Sequence, residues 1–537
     1  MTDTKKASII TSHFNPGNEA FKRIINSNYV DKTGLINIVN STIGTTNNLT
    51  CISRPRRFGK SYAAQMLSAY YDCTVDSKAM FAGYEVAESD NYSRYINAFN
   101  VIYIDVTSFI SKYKRKKESL NKVTDDIVST IKNEVFERYP EISRDSELSE
   151  CLMQVKNISG RQFVFIIDEW DAIVREASDD SEAQESYFNL LRELFKNGNF
   201  TPYVIAAAYM TGILPIKKDG TESAISDFDE YTILNPGIFA KYTGFTEDEV
   251  KKLCQDANAH FETMKEWYDG YSFAEAKSVY NPYSVMSSLR MKSYESFWQK
   301  TTAAESLPAY INLNFEGLQD DIVRLIAGEK LEVNVNGFEN DVKSFKNKDD
   351  VITLLIHLGY LAYDNNDRTV RIPNKEVQSE FQSLLRTSGM TELGELVNNS
   401  LKLLKDTLNC NEIEVSKRIE AIRASDYAPN FYNDEQALRY VIKFAYIVCV
   451  DKYLDIQELP SGKGVADVVF IPKRNTPDPA MIVELKWNKS SNAAIKQIKD
   501  RNYPAVLEKY GGEILLVGIN YDEKSKRHTC KIEKIMK

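Results

Sequence analysis

Four apolar runs in the first 220 residues constrain the chain most: "NNLTCIS" (47–53), "NVIYIDVT" (100–107), "QFVFIIDE" (162–169) and "PYVIAAAYMTG" (202–212). Each is bounded by polar residues and lacks clean two-residue alternation. A strand with one face in water alternates, whereas a strand buried on both faces has no reason to. Helical patterns lie between them, such as "ESLNKVTDDIVSTIKNEVFERY" (118–139). Strands alternating with helices predict a parallel α/β sheet covered on both sides.

The texture changes near residue 230. "TGFTEDEVKKLCQDA" (243–257) predicts a helix capped by Thr246, with acidic residues in its first turn. "KDDVITLLIHLGYL" (348–361) predicts another, followed by two strands around an Asn-Asn-Asp turn in "YLAYDNNDRTVRIP" (360–373). A helix followed by such a hairpin is winged-helix-like. The charged helical stretch 380–425 reads as a connector. Near 430 a second α/β unit begins. A helix, "NDEQALRYVIKFAYIVCV" (433–450), precedes the strands "GVADVVFIP" (464–472), "PAMIVELKW" (479–487) and "EILLVGINY" (513–521), with a helix at 492–510 that stops at Gly511-Gly512. A chain of 537 residues exceeds one core. The expected domains are 1–228, a helical and winged-helix-like middle region 229–425, and 426–537.

Composition narrows the function classes. Apolar residues make up 43% and charged residues 27%, as in a soluble globular protein. No apolar run reaches membrane-spanning length and the N-terminus carries no apolar leader core. The 7 cysteines form no C-x-x-C pair, which points to reduced thiols in a cytoplasm. The 4 histidines have no ligand-like spacing, so a His-based metal site or a Ser-His-Asp triad is not expected. The net charge of −9 gives no global field for nucleic acid, so any such contact must be local. Self-association is left open.

The first chemical constellation sits in "CISRPRRFGKSYAAQML" (51–67). Its second half ends like a phosphate loop, G-x-x-x-x-G-K-[ST], between a strand and a helix. That geometry aims backbone N–H groups and the helix dipole at phosphates. Gly59 opens the turn, Lys60 would reach the β/γ-phosphates, and Ser61 would bind Mg²⁺. Arg54 stands where the pattern has glycine, and Pro55 removes one N–H donor. Arg54, Arg56 and Arg57 add three cations able to fork onto phosphate, although at least one is expected to brace the loop. "FVFIIDEW" (163–170) is a buried strand ending in acids. Asp168 would contact Mg²⁺ and Glu169 would orient or deprotonate the attacking water. Thr211, ending the strand "AYMTG", would sense the γ-phosphate.

In order along 15–300, "NYVDKTGLI", "SRPRRFGKS", "FIIDEWD", "MTGILPI", "TGFTEDEV", "WYDGYSF" and "VYNPYSV" resemble the predicted AAA-ATPase-like family, widespread in anaerobic bacteria. The resemblance implies a loop that is usually RPRRFGK[ST], ATP as its nucleotide, and kinship with switch-type P-loop ATPases. Trp170 replaces the family's more usual tyrosine. The aromatic motifs near 270 and 280 carry no derived role beyond packing.

The second constellation lies in the last unit. Residues two apart on a strand share a face, so Glu484 and Lys486 project together. An ionised pair in an apolar strand is expensive unless paired or functional. Asp467 on a neighbouring strand completes two carboxylates and an ammonium, a set suited to Mg²⁺ and to activating water at a phosphodiester. Over about 430–525 the region resembles the PD-(D/E)XK nuclease superfamily. The resemblance implies Glu435 as a further metal ligand, and likens Gln497 and Tyr503 to the Gln/Tyr pair of its RecB-like branch. Lys463, Lys489, Lys496, Lys499 and Arg501 are candidate local phosphate contacts, or an ordinary solvated face.

The expected fold is therefore multidomain α/β. It joins a P-loop NTPase parallel sheet, a winged-helix-like middle region and a restriction-endonuclease-like C-terminal domain. The expected function is an ATPase coupled to a Mg²⁺-dependent nuclease-like domain acting on nucleic acid, most simply DNA. The alternative is an ATP-gated switch whose nuclease-like domain only binds DNA or protein.

Overall fold

The computed structural model describes residues 13–216, 225, 227–298, 307–311, 313, 315–326, 328–338, 344–387, 391–423, 438–439, 441–442, 445–446, 449, 453–461, 464–472, 478–501 and 512–535. They fall into two compact units. One comprises Met1–Phe297 and Glu332–Lys375, the other Trp298–Leu331 and Glu376–Lys537. The stretch 229–425, expected as one middle region, is shared between them.

The first unit is built on a five-stranded sheet of β1 (Leu49–Ser53), β2 (Asn100–Asp105), β3 (Phe163–Asp168), β4 (Ile205–Gly212) and β5 (Asp229–Tyr231). Their order is β2-β3-β4-β1-β5 and every pairing is parallel. The burial explains the sequence texture. Ile52, Val101, Val164, Ile166, Ala207 and Tyr209 pack on one face. Cys51, Ile102, Ile104, Phe165, Ile167 and Met210 pack on the other. Alternate residues thus enter two different cores, each large apolar side chain contributing about 1.5–3 kcal/mol when fully buried. The helix Lys60–Tyr71 covers the first face, and Val123–Arg138 covers the second.

Several boundaries moved by a few residues. The 3₁₀ turn Leu120–Lys122 precedes the helix expected from 118. The expected strand 202–212 begins as the helical turn Thr201–Val204 around Pro202. β5 lies just beyond the expected boundary at 228, and its short polar sequence gave no strand signal.

Further along this unit, β6 (Phe245–Thr246) pairs antiparallel with β7 (Val279–Tyr280). Thr246 caps the helix Glu247–Asp256 in a reciprocal box with Glu249, the arrangement that satisfies two orphan N–H groups. β8 (Leu331–Glu332) lies where the units divide in sequence. The helix Lys348–Leu358 ends at Gly359, with φ +88°, before the hairpin of β9 (Ala362–Asp364) and β10 (Thr369–Arg371), as the sequence pattern requires.

In the second unit, β11 (Tyr453–Ser461), β12 (Gly464–Pro472), β13 (Ala480–Trp487), β14 (Ile514–Asp522) and β15 (Arg527–Ile535) form a sheet in chain order. Only β13 and β14 are parallel. The helix Ser491–Asp500 makes that crossover. Gly518 on β14 lets the helix approach closely, since a Cβ there would lie 2.5 Å from the Ser491 carbonyl oxygen. β11 and β15, which border the sheet, were not anticipated from sequence. Among the described residues, no helix is long and apolar enough to cross a membrane.

Candidate functional site

β1 leads into the phosphate-loop sequence and β3 and β4 end beside it, so three polar strand ends converge at the carboxyl edge of the sheet. That edge is where open parallel sheets take ligands. Gly59 caps the helix Lys60–Tyr71 with φ +84°, the left-handed region glycine enters without steric cost. Gly59 has no side chain with which to accept from the N-terminal N–H groups of that helix. Ser61 is half-buried in the first turn. Lys60 is buried; its Nζ donates to the carbonyls of Arg54 and Pro55, both at 3.0 Å, and lies 3.7 Å from Glu169 Oε1. Burial lowers the Lys60 pKa, opposed by the charges of Glu169 and Asp168.

The acids stand opposite. Thr211 donates its hydroxyl to Asp168 Oδ1, and the Glu169 N–H lies 3.4 Å from the same Thr211 oxygen. Glu169 has φ +53°, and Arg175 Nη2 donates to its Oε2 at 2.6 Å. Arg175 Nε also donates to Asp171, which is fully buried and accepts the backbone N–H groups of Ile213 and Leu214. Burial works against the Arg175 charge, but Asp171 and Glu169 outweigh it and hold its pKa above the ordinary value. Asp105 ends β2 in register with Asp168, and burial, then Asp168, raises its pKa. Tyr103 is pushed up by the same two causes in the same order.

The three loop arginines separate. Arg54 is fully buried; its Nε donates to Thr243 Oγ1 at 3.0 Å, and its Nη1 to the carbonyls of Ser53 at 3.0 Å and Tyr231 at 3.3 Å. Its side chain points into the fold, away from the ligand role expected of it. Arg56 is half-buried. Arg57 is exposed, has φ +70°, and lies 3.8 Å over the Tyr283 ring. Phe58 accepts the Gly244 N–H and packs edge-on against Tyr271. The motifs without a sequence-derived role therefore wrap the loop. Asp105, Asp171 and Arg175 were missed. Asp105 carried the same signal as Asp168, an apolar run ending in an acid. Asp171 and Arg175 are four apart, a helical ion-pair spacing.

In the second unit, the Val468–Val483 pair sets a register that brings Asp467 opposite Glu484. Asp467, Glu484 and Lys486 are all buried. Lys486 Nζ donates to Glu484 Oε1 at 3.0 Å, and Gln497 donates to the same oxygen. Asp467 accepts the Leu485 N–H at 2.9 Å and pairs with Arg439 at 2.5 Å, a residue the sequence reading did not single out. Lys499 pairs with Glu533. Glu435, Tyr503 and Lys463 lie outside the described residues. Among the described residues, no group of three or more His, Cys, Asp or Glu side chains is arranged to hold a metal ion. Ser61 and Asp168 in one unit, and Asp467 and Glu484 in the other, are nonetheless oxygen donors of the type Mg²⁺ takes.

Two family models match the chain. The predicted AAA-ATPase model covers residues 16–221, and the PD-(D/E)XK nuclease superfamily model covers 433–531. No curated protein matches. Among solved structures, the Walker-type ATPase of Pyrococcus abyssi is 14% identical, covering 65% of this chain and 94% of its own, with a TM-score of 0.33. The Aeropyrum pernix ORC2 protein in its ADPNP-ADP complexes is 13% identical, covering 68% and 97%, with a TM-score of 0.31. Replication initiator DnaA bound to AMPPCP and single-stranded DNA is 12% identical, covering 71% and 92%, with a TM-score of 0.28.

Proposed function

We propose, for a chain that joins an AAA-ATPase-like domain to a PD-(D/E)XK nuclease superfamily domain, that ATP turnover in the first controls Mg²⁺-dependent cleavage of nucleic acid, DNA above all, by the second. One observation carries the ATP half: Lys60, Asp168, Glu169 and Thr211 meet at the carboxyl ends of β1, β3 and β4. In this reading Lys60 exchanges its two loop carbonyls for phosphate oxygens. The open N-terminal N–H groups of the helix Lys60–Tyr71 receive the phosphates. Ser61 and Asp168 would hold Mg²⁺, which would offset charge on the β- and γ-phosphates. Glu169 orients the attacking water, and Thr211 fixes Asp168. Arg57, with Arg56, supplies cations at the mouth, while Arg54 braces the loop from within. We expect Lys60→Ala to abolish ATP binding and turnover; unchanged turnover ends this assignment.

For the second unit, Asp467 and Glu484 would hold Mg²⁺ and Lys486 would position the attacking water. Glu435 fills the remaining acidic position in this proposal. Purified protein with Mg²⁺ or Mn²⁺ should cut DNA or RNA, with a rate that responds to ATP. Asp467→Ala and Glu484→Ala should remove cleavage while the circular dichroism spectrum stays the same. A specific observation favours the second reading, a switch that only binds. Arg439 pairs with Asp467 while Lys486 and Gln497 both bond Oε1 of Glu484. Absence of cleavage on single- and double-stranded substrates, with and without ATP, decides for that reading.

A further inference from the structure

We infer that Arg175 is a positioning residue for ATP turnover: it grips one oxygen of Glu169 and leaves the other facing the phosphate loop. The inference rests on the reading of Glu169 as the residue that orients the attacking water.

Packing alone does not fix Glu169. Its side chain keeps 22% of its surface, and its backbone occupies the left-handed region at φ +53°. Two cations flank the carboxylate unequally. Arg175 Nη2 reaches Oε2 at 2.6 Å, a charge-assisted hydrogen bond, whereas Lys60 Nζ stays 3.7 Å from Oε1. Arg175 therefore sets the orientation, and Oε1 is the oxygen left on the loop side.

Arg175 is itself held. Its Nε bonds Asp171 Oδ2 at 3.0 Å, and that oxygen accepts N–H groups from Ile213 at 3.1 Å and Leu214 at 2.9 Å. Those two residues directly follow Thr211 and Gly212, which end β4. Thr211 in turn bonds Asp168. The end of β4 thus fixes both acids, Asp168 through a hydroxyl and Glu169 through Asp171 and Arg175.

A lysine keeps the charge but not the fork that reaches Asp171 and Glu169 together.

The test measures kcat and KM for ATP hydrolysis by the full chain with Arg175→Ala, Arg175→Lys and Glu169→Gln. Arg175→Ala should lower kcat about 10- to 100-fold, less than the roughly 10²–10⁴-fold a general base itself contributes because the base is misplaced and not removed, and leave the ATP KM within about twofold because ground-state binding is untouched. Arg175→Lys, which keeps the charge without the fork, should restore only part of kcat. A merely structural arginine would lower the melting temperature without lowering kcat at an unchanged KM. If Arg175→Ala does not fold, the lysine variant still decides: wild-type kcat in Arg175→Lys overturns the inference. An unchanged or raised kcat in Arg175→Ala overturns it as well, a rise showing that the arginine restrains Glu169. If Glu169→Gln turns over ATP at the wild-type rate, the assignment of Glu169 fails and takes this inference with it. If Glu169→Gln is dead while Arg175→Ala is unimpaired, only the Arg175 inference fails.

Discussion

Replacing Arg54 with methionine separates a brace from a ligand contact. The guanidinium makes three hydrogen bonds, to Thr243, Ser53 and Tyr231. A hydrogen bond involving a charged group contributes about 1.5–3 kcal/mol with desolvation already counted, so the three together contribute about 5–9 kcal/mol. Against this, Nη2 is buried without a hydrogen-bond partner, which costs about 1–3 kcal/mol, and burial pulls the Arg54 pKa down to about 9. The balance leaves about 2 kcal/mol or more in favour of the arginine. Methionine fills much of the volume without the charge, so Arg54→Met should cost about 2 kcal/mol, or about 4–8 °C in melting temperature.

The assay is thermal melting with and without a non-hydrolysable ATP analogue. For a brace, the melting temperature without nucleotide falls and the increment added by nucleotide survives, because the phosphate donors remain. Lys60→Ala should do the opposite, keeping the first and losing the second. If Arg54→Met melts like the parent without nucleotide but loses the increment, the guanidinium touches the phosphates and the bracing argument is wrong.

Two further outcomes follow from buried groups. Burial, then the nearby Arg54 charge, pushes the His357 pKa down to about 3. The folded chain keeps His357 neutral while the unfolded chain protonates it below about pH 6.5, so stability is whole above that pH and is lost as pH falls toward 3. The loss from this group between pH 7 and 5 should be about 2 kcal/mol, and His357→Leu should flatten the urea midpoint over that range; an unchanged slope refutes the assignment. Gly270 has φ +136°, and a Cβ there would lie 2.1 Å from the Pro373 carbonyl oxygen. Since backbone is the obstacle, Gly270→Ala should cost more than about 3 kcal/mol, seen as a large drop in melting temperature, and a shift within error would show that the chain yields there.

What could be read in advance followed from physical signal strength. The four buried strands of the first sheet announced themselves because both faces demand apolar side chains. Short polar β5 made no such demand and was invisible. Asp168 and Glu169 were legible because an apolar run ended in them, and Glu484 and Lys486 because charge inside an apolar strand is costly. Arg175 and Arg439 were not, since an arginine in a helical stretch looks the same whether it faces water or a buried acid. Nor could the sequence assign the arginines of the loop. Ser53 is adjacent to Arg54 in sequence, but Thr243 and Tyr231 are not, and only the fold brings them together.

The altered loop then has a physical rationale. A glycine-rich phosphate loop relies on backbone freedom to turn its N–H groups inward. Pro55 and Arg54 remove that freedom, so the shape must be imposed from outside. Thr243 and the Tyr231 carbonyl hold Arg54, Gly244 and Tyr271 hold Phe58, and Tyr283 lies under Arg57. The outer residues Thr243, Gly244, Tyr271 and Tyr283 fall within "TGFTEDEV", "WYDGYSF" and "VYNPYSV". Gly244, at φ +103°, fits there because a Cβ would lie 2.4 Å from Val279 Cγ1 and 3.3 Å from the Phe58 ring. These motifs and "SRPRRFGKS" therefore form one packing unit. Any movement of the segment 243–283 must change what holds the loop, and any change of the loop must press on that segment.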